Sequence, residues 1–292
     1  MMESGRIIAA HGRHYLVEAA NGAHIRCVPR GKKSELACGD NVQYRHTGPG
    51  QGVVEATTPR QSLLYRSNEF RQKLIAANAD QLIVVVAVEP AFSVDLISRA
   101  LLAAESQDIA SLIVLNKSDL ADRLPAARQQ LECLRCIGYR IIELCAIEQA
   151  ENLRPLLAGH TSVLVGQSGM GKSTLINALI PTAGAVTREI SSALDSGKHT
   201  TTHAYLYHLD TDSHLIDSPG LQEFGLAHLN RGNLEQCFIE FRPYLGQCRF
   251  RDCQHDREPG CALQDACRNG AIAPERLTSF LRLTSSTSKA HH

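Results

Sequence analysis

The chain has 292 residues, 43% of them hydrophobic and 21% charged, with 30 Lys and Arg balancing 30 Asp and Glu. A prior of ~100–200 residues per domain allows two or three domains, and the composition excludes a disordered, collagen-like or disulfide-scaffold chain. Membrane spanning is excluded on length, because the apolar run 82–88 is far below the ~18 residues a spanning helix needs.

The neutral total hides an uneven distribution. Residues 1–75 hold 11 Lys/Arg and 6 Asp/Glu, residues 76–227 hold 10 and 17, and residues 228–292 hold 9 and 7. A basic N-terminal segment can neutralise nucleic-acid phosphates, although a net +5 is also common on solvated surfaces. The start of the chain lacks the apolar core of a signal peptide. A cytoplasmic protein is therefore expected, without membrane contact and with its ten cysteines reduced. No feature calls for an oligomer, and a monomer is expected.

Residues 1–75 read as short strands broken by turns. "RIIAAHGRHYLVEA" and "AHIRCVPRG" are joined at Asn21-Gly22, a strong hairpin signal, and "LACGDNVQYRH" and "QGVVEATTPR" follow. This is the pattern of a small antiparallel barrel, with an OB-fold the leading candidate. Near residue 76 the pattern changes. "QLIVVVAVEP" is a continuous β-branched run, as in a strand buried on both faces of a parallel sheet. A helix is predicted over Val94–Glu105, a second buried strand in "SLIVLNKSDL", a helix over 121–137, a third strand in "YRIIELCA", and a fourth at Ser162–Val165. Alternation of strand and helix predicts an α/β fold with a mainly parallel sheet. Beyond about residue 228 the strands stop, and helical patterns at Asn233–Phe241 and Pro274–Leu283 flank a Cys/His cluster.

"GQSGMGKST" matches the G-x-x-x-x-G-K-[S/T] phosphate loop, and it follows an apolar strand and opens an apolar helix, the context that motif requires. The residues of this loop are Gly166, Gln167, Ser168, Gly169, Met170, Gly171, Lys172, Ser173 and Thr174. Its N–H groups can surround phosphates, Lys172 can reach the β- and γ-phosphates and stabilise charge in the transition state, and Ser173 can hold Mg²⁺. Asn116, Lys117 and Asp119 form an Asn-Lys-x-Asp box at the carboxyl end of a buried strand. The Asp119 carboxylate can accept from the two N–H donors of a guanine edge, which adenine lacks. Asn116 can tie the base to the loop, and the Lys117 stem can cover its face.

Asp217, in "HLIDSPG", ends a strand and can hold Mg²⁺ through water, and the Gly220 N–H can meet a γ-phosphate. Between the phosphate loop and Asp217 lies a polar, Thr-rich segment with the character of a switch loop. Thr200, Thr201 or Thr202 can complete the Mg²⁺ shell, with the central Thr201 favoured. Leu221 stands where many GTPases carry a water-positioning Gln, so slow intrinsic turnover is expected. His199 is the nearest polar substitute as a catalytic group; a plain solvated loop residue is the alternative.

"CRFRDCQHDREPGC" spaces Cys248, Cys253, His255 and Cys261 as four ligands of a closed, structural Zn²⁺ site, one per chain. Cys267 and Cys237 are alternative ligands whose spacing fits less well. Cys133 and Cys136 form a C-x-x-C with no second pair, and read as structural thiols.

Guanine box, phosphate loop, switch and Asp-x-x-Gly occur here in rotated order, which resembles the circularly permuted GTPases. "GQSGMGKSTLINAL", "GKHTTTH", "IDSPGLQEFGL" and "CRFRDCQHDREPGCAL" together resemble the ribosome small subunit-dependent GTPase family, RsgA, also called YjeQ. The resemblance covers nearly the whole chain. It implies an OB barrel at 1–75 that contacts ribosomal RNA, a circularly permuted P-loop GTPase domain at 76–227, and a small α-helical zinc-binding domain at 228–292 that helps docking. It implies GTP hydrolysis to GDP, stimulated by the small ribosomal subunit, late in the assembly of that subunit, and help in releasing a maturation factor. The family's zinc ligands carry over onto Cys248, Cys253, His255 and Cys261, and its switch histidine onto His199. Two departures stand out. Ser218 replaces a usual Thr, and Cys145-Ala146 replaces the Ser-Ala pair that backs the guanine carbonyl, keeping the Ala146 N–H. Two rival readings stay open: an ATPase or kinase that shares only the phosphate loop, and an RNA-binding scaffold in which GTP is structural.

Overall fold

A computed structural model of the chain describes residues 1–31, 35–67, 72–184, 204–218, 224, 226 and 228–289. Strands β1 (Met2–His11), β2 (His14–Ala19), β3 (His24–Pro29), β4 (Asn41–Gly48) and β5 (Gln51–Thr57) pair in the order β1-β2-β3-β5-β4, and β4 returns to β1. That closes a five-stranded OB-like barrel and removes its free edges. The β3–β5 pair is parallel and the others are antiparallel. Alternation places Ile7, Tyr15, Val17, Ile25, Cys27, Val42, Tyr44 and Val54 together inside. The stretch expected as one strand before Asn21-Gly22 is itself a hairpin, β1–β2, turning at Gly12 with φ +57°. The turn needs a left-handed residue, which glycine supplies without strain.

The chain leaves the barrel past Arg60, whose guanidinium Nε and Nη2 donate to the fully buried Asp40 carboxylate at 2.6 and 2.7 Å. A separate hairpin follows, β6 (Leu63–Ser67) with β7 (Gln72–Ala77), and leads into the second sheet.

That sheet uses β8 (Gln81–Ala87), β9 (Ala110–Asn116), β10 (Arg140–Leu144), β11 (Thr161–Val165), β12 (Tyr205–His208) and β13 (His214–Asp217) in the order β10-β9-β8-β11-β13-β12. Only β12 is antiparallel. Every residue of β8 is buried, as the continuous β-branched run predicts. Helices α1 (Val94–Glu105), α2 (Leu124–Ile137), α3 (Ala146–Gln149), α4 (Arg154–Leu157) and α5 (Lys172–Leu179) connect these strands. From β8 the chain runs outward to β9 and β10, then crosses back to β11 on the other side of β8. Reversal of direction opens a crevice at the carboxyl ends of β8 and β11, where ligands of open α/β sheets sit. The edge strand β12 also meets the barrel: Tyr205 pairs with Ala9, and the Ala10 N–H donates to the Ala204 carbonyl at 3.4 Å. Barrel and sheet thus share one ladder of eleven strands, which the sequence pattern does not foretell.

The tail carries α6 (Arg231–Cys237), α7 (Ala262–Arg268) and α8 (Pro274–Lys289). The first predicted helix, Asn233–Phe241, is shorter and earlier than expected. The Asn230 side chain caps it by accepting from the Asn233 N–H at 2.8 Å, and Phe238 is already extended. Burial decides this, since Phe238 and Phe241 turn inward to stack at 4.7 Å and to pack against Phe280. The α7 helix follows the last cluster cysteine and was not expected. The tail docks on α1. Arg276 is buried, pairs with Glu240 at 2.5 Å and donates to the Ser98 hydroxyl at 3.2 Å. Arg242 pairs with Glu105 at 2.7 Å, and Arg282 with Asp95.

Candidate functional site

The phosphate loop joins β11 to α5. Gly169 and Gly171 have φ of +81° and +89°, the left-handed values that let the loop curl its N–H groups inward. Glycine is required at 171 for space as well, because a Cβ there would overlap the Asn116 side-chain amide. The Lys172 ammonium donates to the Gly166 and Gln167 carbonyls at 2.6 and 3.2 Å, which holds it over the loop. Ser173 and Thr174 are exposed at the first turn of α5.

Asn116, buried at the end of β9, ties its own loop to two other segments. Its Nδ2 donates to the Met170 carbonyl of the phosphate loop at 3.0 Å, and its Oδ1 accepts from the N–H groups of Lys117 at 2.8 Å and Ala146 at 2.9 Å. The Ala146 N–H, expected to back the guanine carbonyl, is thus engaged by Asn116 and supports the box from within. Cys145 N–H donates to Gln149 Oε1 at 2.8 Å. Lys117 takes the left-handed region, φ +60°, and its ammonium donates to the Glu89 carbonyl at 2.7 Å. Asp119 is exposed at the rim, free to meet a base edge.

The β8–α1 connection forms the floor beneath these loops, and sequence reasoning missed it. Gln167 Oε1 accepts from the Ser93 N–H at 2.9 Å, and Ser93 caps α1. Glu89 supplies the carbonyl for Lys117, and Pro90 packs under Gly169. The Ser93 cap was legible as Ser-x-x-Leu before an apolar helix; its partner Gln167 was not.

Asp217 lies at the carboxyl end of β13, in register with Leu164 of β11. It is 6% exposed. Burial pushes its carboxyl up to about 6, against the opposing pull of the Lys172 ammonium. A buried carboxylate of this kind is suited to a cation. Ser173 and Asp217 are the described residues that would hold Mg²⁺, which neutralises phosphate charge when bound. Ser218 is buried and donates its hydroxyl to the Leu164 carbonyl at 2.9 Å, which ties the end of β13 to β11. His199, Thr200, Thr201, Thr202, Gly220 and Leu221 lie outside the described residues.

The ligand atoms of Cys248, Cys253, His255 and Cys261 lie within 4.8 Å of one another. His255 Nδ1 is 3.6 Å from Cys248 Sγ and 3.3 Å from Cys261 Sγ. Burial pushes the Cys253 thiol up to about 12 and raises that of Cys261 too, so a cation is what would let these sulfurs ionise. Three thiols and one imidazole form the donor set of a structural Zn²⁺ site. The alternative ligands stand apart from this group: Cys237 Sγ donates to the Asn233 carbonyl at 3.1 Å, and Cys267 is half-buried on α7. Of the C-x-x-C pair read as structural thiols, Cys133 is half-buried and Cys136 exposed on α2.

The geometry agrees with comparison to known proteins. The family model described as RsgA GTPase matches residues 57–227. The chain belongs to the RsgA GTPase family. Proteins named small ribosomal subunit biogenesis GTPase RsgA are 52% identical in Burkholderia pseudomallei strain K96243, covering 98% of this chain and 92% of that one. The relative in Nitrosomonas europaea is 51% identical over 99% of this chain and 93% of its own. Among solved structures, YjeQ from Thermotoga maritima matches with a TM-score of 0.74 at 30% identity, covering 98% of this chain and 99% of that one. YloQ, a circularly permuted GTPase, matches with a TM-score of 0.70 at 26% identity over 99% of this chain and 96% of its own.

As an RsgA GTPase the chain is a GTP hydrolase, with a permuted GTPase domain between an OB-like barrel and a helical tail that carries a zinc-type cluster. The RsgA order of parts explains the early guanine box. The ends of β9, β10, β11 and β13 converge whatever their order along the chain, because the sheet order sets which loops meet.

Proposed function

We propose that this chain hydrolyses GTP to GDP and phosphate in the late maturation of the small ribosomal subunit, with the subunit as its stimulating partner. In support, the relatives that match nearly the full length are named small ribosomal subunit biogenesis GTPases. The observation that carries the nucleotide part is the Asn116 junction, which joins a guanine box to a phosphate loop in one crevice.

In this reading residues 1–75 form the RNA-binding barrel, 76–227 the GTPase domain and 228–292 the zinc domain. Asn116, Lys117 and Asp119, with Cys145 and Ala146 behind them, hold the base. Gly166 to Thr174 and Gly220 hold the phosphates. Ser173, Thr201 and Asp217 hold Mg²⁺, and Cys248, Cys253, His255 and Cys261 hold Zn²⁺. Water attacks the γ-phosphate in line. Lys172 and the loop N–H groups stabilise the developing charge, and His199 takes the water-orienting place that Leu221 cannot fill. In this reading the protein works in the cytoplasm, with its subunit partner; among the described residues, no helix is long and apolar enough to cross a membrane.

The test is co-sedimentation with purified small subunits. The protein is expected to pellet with them in the presence of a non-hydrolysable GTP analogue and to be released with GDP. Equal recovery in both states would remove the nucleotide-dependent partner from this reading.

A further inference from the structure

Behind the Cys/His cluster stands a carboxylate that the cluster's own spacing does not include. His255 directs Nδ1 at the sulfurs of Cys248 and Cys261, and its other ring nitrogen, Nε2, lies 3.3 Å from Glu235 Oε1. Both side chains are enclosed, at 7% and 19% exposure. A neutral imidazole has one N–H and one lone pair. For Nδ1 to offer its lone pair to a metal, the proton must be on Nε2, where a buried N–H needs an acceptor. Glu235 is that acceptor among the described residues.

We propose that Glu235 is the positioning residue of the zinc centre: its carboxylate accepts the Nε2–H of His255, fixes the ring tautomer and aims Nδ1 at the metal. This rests on the reading of the cluster as a zinc site. Surrounding groups fit the role. Arg231, one turn earlier on α6, lies 3.3 Å from the same Glu235 oxygen and balances its charge. The Arg231 guanidinium covers the Phe280 ring at 4.9 Å, and Phe280 stands 6.0 Å from the His255 ring, closing the back of the site to water. His255 itself has φ +60°, a costly conformation for a non-glycine residue that is held here by contacts at both ends of the ring. Glu235 belongs to α6, the first helix after Asp217 among the described residues.

The experiment is a zinc competition titration of the full chain against a chromophoric chelator, for wild type, Glu235→Ala, Glu235→Gln and Cys253→Ser. Glu235→Ala is expected to bind zinc about 10–100-fold more weakly. Glu235→Gln, whose side-chain carbonyl still accepts the N–H but carries no charge, should fall between that variant and wild type. Nitrogen-15 NMR of the zinc-loaded wild type should show His255 protonated at Nε2, a readout that holds even if Glu235→Ala does not fold. Wild-type zinc affinity in Glu235→Ala, with melting lowered equally in loaded and stripped protein, would overturn the proposal, as would a His255 protonated at Nδ1. Should wild type itself bind no zinc, or bind it without dependence on Cys253, the zinc reading fails instead.

Discussion

The side-chain amide of Asn116 donates to the main-chain carbonyl of Met170 at 3.0 Å, so the guanine box and the phosphate loop are hydrogen-bonded although the box comes first in the chain. Two more bonds, from the Lys117 and Ala146 N–H groups, end on the same side chain. Asn116→Ala strands these partners. At about 1 kcal/mol net per bond, and more where a buried group is left unpaired, the loss is about 2–4 kcal/mol. Denaturant unfolding of the nucleotide-free protein should show it, together with weakened GDP binding. A variant of wild-type stability would mean that water replaces the bonds.

In the proposed reading Asp119 governs choice of base. Replacing it with Ala removes the acceptor for both guanine N–H donors, and charge-assisted bonds of this type are worth about 3 kcal/mol together. GDP affinity should fall about 100-fold while ATP binding stays as weak as in wild type. Fluorescent-GDP displacement measures both. Unchanged GDP affinity would place the base elsewhere.

Stability should depend on pH through Asp217. Its folded-state value of about 6 stands above the ordinary value of 3.8, so the native state holds the proton more tightly than the unfolded chain. Without Mg²⁺, stability is therefore highest below pH ~4 with respect to this group and falls as pH rises to about 6, by about 3 kcal/mol in all. Asp217→Asn should flatten that slope and abolish Mg²⁺ binding. In wild type, Mg²⁺ affinity should rise with pH across the same window, as the competing proton leaves. Thermal melts at several pH values, with and without Mg²⁺, check the sign.

Within the tail, Arg276 pairs with Glu240, both side chains nearly sealed from water, and Arg276 also reaches Ser98 of α1 at 3.2 Å. Arg276→Ala leaves Glu240 buried and unpaired, at a cost of about 3–5 kcal/mol. A double replacement by apolar residues of similar size should recover much of this. Melting curves of the single and double variants decide the matter; equal loss in both would show that the pair itself, and not the stranded charge, is what counts.

Much of this architecture could be read from residue order. Val94–Glu105 is a helix at the predicted limits, and the run at 81–87 is a strand buried throughout. Local signals sufficed there, because period and capping lie within one segment. Contacts that close the site were not legible. Asn116 meets partners at 146 and 170, Gln167 meets Ser93, and Glu235 meets His255, and no local periodicity marks such pairs. The short α7 helix was hidden by its brevity and position, since it starts directly after Cys261 and spans only seven residues. Pairing of β1 with β12 was hidden for a related reason: strand edges carry no sequence mark of the partner they will take.

The most direct test of the whole account is single-turnover GTP hydrolysis with and without purified small ribosomal subunits, for wild type and Lys172→Ala. Slow hydrolysis by the free protein is expected, with a clear rise when subunits are added and a loss of about 100-fold or more in Lys172→Ala under both conditions. Hydrolysis that ignores the subunits, or that proceeds equally well with ATP, would contradict it.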